Sequence, residues 1–95
     1  MVQLPQRTKG KPWRLKIQSR VRVGKDNCWG YCDHTAREIV LSRATEKHGV
    51  DRQVFIHELL HKIMPWLDEA AVDHAATELD DALELMETQR ENLFR

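Results

Sequence analysis

The sequence predicts an α+β fold in which a small three-stranded antiparallel sheet packs on a first helix and a long C-terminal helix. Two observations support this fold class. Apolar and polar residues alternate with a period of two in the N-terminal third, which is typical of strands, whereas the C-terminal half carries apolar residues at helical spacing. Because 95 residues support one hydrophobic core, we expect a single domain over residues 13–95, preceded by an arm over residues 1–12.

The arm is predicted from turn-forming residues and charge. Pro5, Gly10 and Pro12 stand among basic residues, a composition that buries little apolar surface. The alternating segment Trp13–Val23 follows, and its pattern predicts a first strand with one apolar and one basic face. We therefore expect a flexible basic arm that leads directly into the sheet.

Two further strands are predicted between residues 28 and 42. The turn-forming run Gly24–Asn27 separates the first strand from a short second one, Cys28–Cys32. A second turn over residues 33–36 precedes Arg37–Ser42, whose centre is β-branched. We expect these three strands to pair as one antiparallel sheet.

Two helices are predicted in the C-terminal half. Asp51 is the expected N-cap of a first helix over residues 52–64, which Pro65 ends. Asp68 is the expected N-cap of the second helix. The apolar residues of this second helix recur at helical spacing, which predicts one packed face and one acidic face. These apolar residues are Val72, Ala75, Ala76, Leu79, Ala82, Leu83 and Met86.

Charge divides the chain into two parts. Residues 1–25 contain 8 basic residues and no acidic one, whereas residues 26–95 contain the other 7 basic and all 15 acidic residues. The chain has no apolar run that could cross a bilayer and no secretory signal, so we expect a cytoplasmic protein without a membrane partner. Two cysteines are too few for a disulfide framework, and we expect both to be reduced. The three tryptophans, Trp13, Trp29 and Trp66, are expected in the core.

The first helix carries an unusual polar sector. His57 and His61 lie one helical turn apart on the same face, with Glu58 beside them, while apolar residues cover most of the remaining circumference. Imidazoles and carboxylates are costly to bury unless they are paired or bound to a metal. His-Glu-x-x-His on a helix directs two imidazole nitrogens to one tetrahedral metal, and Zn²⁺ is the expected ion.

A third ligand is expected from the second helix, where three candidates stand. Measured from the centre of the apolar stripe, Glu69 lies about 80° away, Asp73 about 120°, and His74 about 140° in the other direction. Glu69 is therefore the preferred ligand, and Asp73, one turn further on, is placed to accept the free N–H of a liganding histidine. Asp73 and His74 remain alternative third ligands.

The motif formed by His57, Glu58 and His61, followed by Glu69 and Asp73, resembles the gluzincin branch of the zincin metallopeptidases. The resemblance implies hydrolysis of peptide bonds in a peptide or protein substrate through a zinc-bound water, with Glu58 as general base. An oxyanion stabiliser is also expected, and the sequence offers four candidates: Tyr31, His34, His48 and His74.

The wider segment over about residues 28–83 is similar to small single-domain zincins of bacteria and their phages. This similarity implies a minimal zincin-like unit of a strand, an active-site helix and a ligand-bearing helix, with Arg37–Ser42 as the edge strand. From its position alone, we expect that this edge could hold a peptide by β-augmentation. For a phage protein the expected location is the host cytoplasm. The chain departs from the pattern in two ways: the interval from His61 to Glu69 is shorter than in large gluzincins, and a basic arm replaces the helix that usually precedes the sheet.

Two other hypotheses arise from the sequence. Cys28, Cys32 and His34 are ligand types suited to a second zinc, although they lack the Cys-x-x-Cys spacing. The basic residues of 1–25 suggest a nucleic-acid-binding module in which zinc is structural or vestigial. A DNA-tethered protease similar to the SprT-like zincins would combine both functions. That family uses a third histidine, which here could only be His74.

Overall fold

A computed structural model describes residues 1–5 and 10–95 of the chain. The described residues form six strands and three helices, so the α+β class is confirmed. No helix among them is both long and apolar enough to cross a membrane. The strands are β1 (Val2–Gln3), β2 (Arg14–Gln18), β3 (Val21–Val23), β4 (Asp26–Cys28), β5 (Gly30–Asp33) and β6 (Glu38–Ser42), and the helices are α1 (Ala44–Lys47), α2 (Asp51–Ile63) and α3 (Glu69–Leu93).

The single three-stranded antiparallel sheet predicted from the sequence is wrong. The described strands form a four-stranded mixed sheet in the order β1-β2-β6-β5 and a separate two-stranded hairpin, β3-β4. β2 pairs with β6 in parallel, whereas β1 and β5 pair antiparallel to their neighbours. The predicted first strand breaks at Ser19–Arg20, because the chain leaves the sheet there and forms the hairpin before returning through β5. Periodicity reveals strands but not their pairing partners.

β6 lies at the centre of the sheet, not at its edge as the sequence predicted. Its residues Ile39, Val40 and Leu41 are all buried, since neighbouring strands flank it and side chains cover both faces. A continuous apolar run of this kind is typical of a strand that is covered on two sides. The edges of the four-stranded sheet are β1 and β5, and β5 is the edge that borders α2.

The described part of the predicted arm contributes to the sheet. Val2 and Gln3 pair with β2, and the Leu4 backbone N–H donates to the carbonyl of Trp13 at 2.9 Å. Leu4 is buried against Ile39 and other residues of the core, contrary to the expectation that this segment buries little. The remainder of the predicted arm includes residues 6–9, which lie outside the described residues.

The helix boundaries agree closely with the sequence pattern, with one exception. Asp51 is the first residue of α2 and not its N-cap; the cap is Val50, which has no capping side chain. Asp68 is confirmed as the N-cap of α3, because its carboxylate accepts a hydrogen bond from the Ala71 N–H at 2.8 Å. The short helix α1 follows β6 and was not predicted, since a helix of one turn leaves no periodic signal.

α2 and α3 form an antiparallel helical hairpin. Between the helices lies one apolar cluster, which consists of Ile56, Leu60, Val72 and Ala76. Polar contacts fix the relative position of the helices at the open end: the Arg52 guanidinium binds the Asp80 carboxylate at 2.5 Å and the Asp80 carbonyl at 3.1 Å. Gln53 Nε2 donates to Thr77 Oγ1 at 3.2 Å. These contacts place successive turns of α2 opposite successive turns of α3 in the reverse direction.

A second apolar cluster joins α2 to the sheet and includes Trp13 at its margin. The prediction that all three tryptophans lie in the core is wrong for the other two. Trp29 is half-exposed, and 75% of the Trp66 surface is accessible in the turn between α2 and α3. Trp66 lies in a connection of only five residues, which is too short to fold back over the helices.

The packing between the two helices can be tested by Val72→Ala. Val72 is fully buried between α2 and α3, so truncation leaves a cavity, and we expect the free energy of unfolding to fall by about 2 kcal/mol. Urea denaturation followed by circular dichroism measures this change. Leu85→Ala, at an exposed position of α3, is the matched control and should change stability by less than about 0.5 kcal/mol. Equal effects of the two substitutions would contradict the packing described.

Candidate metal centre

His57 and His61 lie on successive turns of α2, at the end of the helical hairpin that is closed by the turn into α3. Their ring centroids are 4.9 Å apart, and the two Nε2 atoms approach to 3.2 Å. Both side chains are largely buried. The helix therefore presents two imidazole nitrogens at one point, as the spacing predicted.

Glu69, the first residue of α3, brings a carboxylate to the same point. One carboxylate oxygen, Oε1, lies 2.5 Å from His61 Nε2, and the other, Oε2, lies 3.4 Å from His57 Nε2. The ligand atoms of these three residues all lie within 4.8 Å of one another. Across residues 1–5 and 10–95, this is the one group of three or more potential ligands with such spacing.

The distances between these atoms suit a tetrahedral zinc ion. With zinc–ligand distances near 2.0–2.1 Å, neighbouring ligand atoms lie about 3.3 Å apart. The His57–His61 and His57–Glu69 separations, 3.2 and 3.4 Å, match that value. The 2.5 Å separation of His61 from Glu69 is that of a short hydrogen bond, so these two side chains must move apart by about 0.8 Å to share an ion. The donor set of two imidazoles and one carboxylate is one that zinc accepts.

Asp73 lies one turn after Glu69 and contacts the far side of the His57 ring. Its Oδ1 is 2.9 Å from His57 Nδ1, a contact in which the Nδ1–H group donates a hydrogen bond and the carboxylate oxygen accepts it. This hydrogen bond fixes the ring and leaves Nε2 as the atom that faces Glu69. The geometry matches the outer role predicted for Asp73.

His74 points away from the cluster. Its ring is exposed, and Nε2 lies 3.1 Å from a Glu78 carboxylate oxygen on the same face of α3. The structure therefore does not bring together the alternative ligand set that uses His74 as third ligand. Helical geometry excludes it, because the residue lies on the opposite side of α3 from Glu69.

Glu58 is buried beside the two histidines, with 7% of its surface accessible. Burial raises the pKa of its carboxyl above the usual value; the neighbouring His57 and His61 oppose this shift, and Glu69 reinforces it. Two hollows of about 280 Å³ each are lined in part by Glu58, and together we call them the cleft. Residues that line the cleft include Trp29, Gly30, Val54, Cys32, His34, His61 and Pro65.

Gly30 brings strand β5 close to α2, and the sequence analysis missed this role. A Cβ at this position would lie 2.6 Å from the Val40 carbonyl oxygen and 3.2 Å from a Val54 methyl group. Only glycine therefore permits this approach. The sequence alone does not distinguish Gly30 from the glycines in turns, because the close contact depends on the register between β5 and β6.

Of the four candidate oxyanion stabilisers, His34 lies nearest the cluster. His34 Nε2 is 3.2 Å from the His61 carbonyl oxygen, and its ring packs edge-on against Trp13. It lines the cleft together with Glu58. His48 instead packs against Trp29 at a centroid distance of 5.2 Å, and Tyr31 is half-buried on β5.

Cys28 and Cys32 do not form a second metal site with His34. Cys32 Sγ lies 3.7 Å from His34 Nε2, but Cys28 is on the separate hairpin and its thiol contacts the Asp26 carbonyl. Burial and, secondarily, Glu58 raise the pKa of the Cys32 thiol to about 11, so it is protonated at neutral pH. Both cysteines are free thiols.

Comparisons with protein-family models, curated proteins and solved structures found no match to this chain. The function is therefore argued from the geometry of the site.

Zinc affinity tests the assignment of the ligands. Glu69→Ala removes one of the three ligand atoms, and we expect the dissociation constant for zinc, measured by competition with a chelating dye, to rise by more than about 100-fold. Asp73→Ala removes only the hydrogen bond to His57 and should raise the dissociation constant for zinc about 10- to 100-fold. His74→Ala is the matched control on the same helix and should leave the affinity unchanged. A loss of affinity in His74→Ala but not in Glu69→Ala would refute the assignment.

The buried carboxyl makes a separate prediction about metal-free protein. Because the folded-state pKa of Glu58 is raised, its neutral form contributes stability that is fully present below the unfolded pKa of about 4.3 and is lost as pH rises through the folded pKa. With metal removed by a chelator, we expect Glu58→Gln to be more stable than the wild type at about pH 7 and equally stable at about pH 3.5. Urea denaturation across this pH range measures the difference, and a wild type more stable at neutral pH would contradict it.

Proposed function

We propose that this protein is a zinc-dependent metallopeptidase. The observation that carries the proposal is the convergence of the Nε2 atoms of His57 and His61 with the Glu69 carboxylate, beside the buried carboxyl of Glu58. The charge of the site supports a bound cation as well. Glu58, Glu69 and Asp73 gather around two imidazoles, and none of them forms an ion pair with a lysine or arginine among the described residues. A divalent ion would balance these carboxylates.

The residues of the cleft can each be given a part in hydrolysis. Zinc held by His57, His61 and Glu69 would lower the pKa of a bound water towards neutrality and polarise a substrate carbonyl. Glu58 would accept the proton of the attacking water and deliver it to the departing amine. Its raised pKa suits both steps, because a carboxyl that titrates nearer neutral pH exchanges protons more readily. Asp73 would hold the His57 ring in the ligating tautomer.

The substrate proposed is an extended peptide. β5 pairs with β6 along one side only, and its other edge has no backbone partner in the described part of the chain. Gly30 and Cys32 of this strand line the cleft on either side of Glu58. A peptide added to this edge would place a carbonyl next to Glu58 and gain main-chain hydrogen bonds that depend little on its sequence. β5 thereby takes the role that the sequence analysis gave to residues 37–42.

Nucleic-acid binding through residues 1–25 is the alternative that we do not adopt. Arg14, Lys16 and Arg22 of this segment lie in strands of the fold, and Arg14 forms an ion pair with Glu38. Nucleic-acid binding through this segment would not explain why three carboxylates gather around His57 and His61. The metallopeptidase proposal gives a role to each of these carboxylates, which belong to Glu58, Glu69 and Asp73.

Hydrolysis by the zinc-loaded protein tests the proposal. The protein is incubated with a pool of unstructured peptides, and new termini are detected by mass spectrometry. We expect Glu58→Gln to retain zinc but to lose cleavage by at least about 100-fold, because the general base is removed while the three ligands stay in place.

Glu78→Gln is the matched control for this experiment, since Glu78 is exposed on α3 and its only described partner is His74. This variant should cleave as the wild type does. Undiminished cleavage by Glu58→Gln would refute the role given to Glu58. The absence of cleavage by zinc-loaded wild-type protein would refute the proposed activity while leaving the metal site standing.

A further inference from the structure

The C-terminal half of α3 extends beyond the rest of the fold. α3 has 25 residues and a length of about 37 Å, whereas its partner α2 has 13 residues and a length of about 20 Å. Every residue from Asp81 onwards is exposed. We call residues 81–93 the α3 extension. A helix of this length is only marginally stable in water on its own, so packing against another surface would stabilise it.

An apolar seam runs along this extension. The buried residues Val72 and Ala76 are followed, at alternating intervals of three and four residues, by further apolar positions on the same face. Arg90 occupies one position of this repeat. The exposed members, which we call the α3 seam, are Leu79, Leu83, Met86 and Leu93. The face that packs on α2 therefore continues, apolar except at Arg90, onto a part of α3 that α2 does not reach.

The residues around the α3 seam are mostly acidic, and this charge indicates which kind of surface can pack against the seam. Residues 78–91 contain six acidic residues, and Arg90 is the one basic residue among them. Arg52 engages Asp80 and Glu84, while Asp81 and Glu91 form no ion pair with any described residue. A second α3 helix laid along the seam would bring acidic side chains together. A basic surface with apolar side chains would be favoured instead.

The hairpin β3-β4 has these properties. Arg22 and Lys25 in the hairpin and Arg20 just before it are exposed, none of them forms an ion pair with a described residue, and Asp26 is the one acidic residue of the hairpin. Val23 adds an exposed apolar side chain on the same hairpin. Within one copy, no ion pair joins a described basic residue of the segment 1–25 to α3, and Arg14 instead pairs with Glu38.

We propose that the protein forms a symmetric dimer in which the α3 extension of each copy lies on the β3-β4 hairpin of the other. In a two-fold arrangement both contacts form at once, so the acidic end and the basic end of each chain are neutralised together. The α3 extension and the β3-β4 hairpin do not include the residues of the histidine cluster. The proposed dimer is therefore independent of the proposed metallopeptidase function.

The mass of the full-length protein in solution tests this dimer. At low ionic strength, sedimentation velocity should give twice the 11.2 kDa mass of one chain. Raising the salt to about 500 mM shortens the screening length to less than about 5 Å and should shift the equilibrium towards the single chain. A mass of one chain at low salt and high protein concentration would overturn the proposal.

A charge exchange identifies the surfaces. The double variant Glu87→Lys with Glu91→Lys makes the extension basic, and Arg22→Glu with Lys25→Glu makes the hairpin acidic. Each variant alone brings like charges together at both contacts and should be monomeric. An equal mixture of the two pairs opposite charges at both contacts and should restore a species of two chains. A mixture that stays monomeric, or a single variant that stays dimeric, would overturn the proposed arrangement.

The apolar contribution has a matched pair of variants. Leu83→Asp alters the seam, whereas Leu85→Asp makes the same change about 160° away around the helix, where 63% of the leucine surface is already exposed. Only Leu83→Asp should weaken the dimer, by at least 10-fold in dissociation constant. Far-ultraviolet circular dichroism of both variants serves as the check that they are folded. Equal weakening by both would contradict a role for the seam.

Duplex DNA provides the competing outcome. If the wild type has the mass of one chain and binds DNA, and the Arg22→Glu with Lys25→Glu variant loses that binding, the hairpin is a nucleic-acid surface and the dimer is wrong. If the wild type is dimeric and the charge exchange restores the dimer, the hairpin is the surface that receives α3.

Discussion

The antiparallel register between α2 and α3 is the constraint on which the site depends. Moving along the two helices from their open end, Arg52 meets Asp80, Gln53 meets Thr77, His57 meets Asp73, and His61 meets Glu69. The turn over residues 64–68 closes the hairpin, and Asp68 starts α3 by capping its first turn. A shift by one residue would rotate Glu69 by about 100° away from the histidines. Packing around Val72, within about one turn of Glu69, and the Arg52–Asp80 ion pair, about one to three turns away, therefore position the side chains of the histidine cluster.

The same hairpin concentrates charge that the protein alone does not balance. A buried Glu58 with a raised pKa, two imidazoles in contact and an outer carboxylate on Asp73 are costly to hold together in a small domain. Lys62, which follows His61, turns away and lies over the Trp13 ring. In the proposed function, a bound cation would offset this cost and would link metal binding to folding, because the ligands are assembled only when the helices pair. The ion would then supply part of the stability of the domain.

The local sequence pattern was enough to predict the two long helices and several strand segments, but not how the strands pair. The spacing of His57 and His61 and the rotation of Glu69 and Asp73 around α3 follow from helical geometry, so the described positions of these four residues could be anticipated. The pairing of β2 with β6 in parallel could not, since it depends on a crossover between residues far apart in sequence. The prediction that residues 37–42 form an edge strand was wrong because the same long-range pairing places β2 beside β6. The apolar run of β6 indicated a covered strand, which was the available sign that it lies at the centre.

Two features of the cleft needed the three-dimensional arrangement. The position of Gly30 beside Val54 depends on how β5 lies against α2, and the contact of His34 with the His61 carbonyl joins residues that are 27 apart in the chain. Likewise, Trp29 and Trp66 look like core residues by composition, but both are exposed and neither belongs to the two apolar clusters. Composition indicates what a residue prefers, and topology decides whether the fold provides a place for it.

X-ray absorption at the zinc edge tests the central claim most directly, because it reports the atoms bound to the ion. Zinc added to the purified protein should bind in a ratio of one per chain, with nitrogen and oxygen ligands at about 2.0–2.1 Å and scattering from two imidazole rings. Glu69→Ala should lose one of the oxygen ligands. A shell of sulfur at about 2.3 Å would place the ion at Cys28 or Cys32 and contradict the site, as would the absence of imidazole scattering.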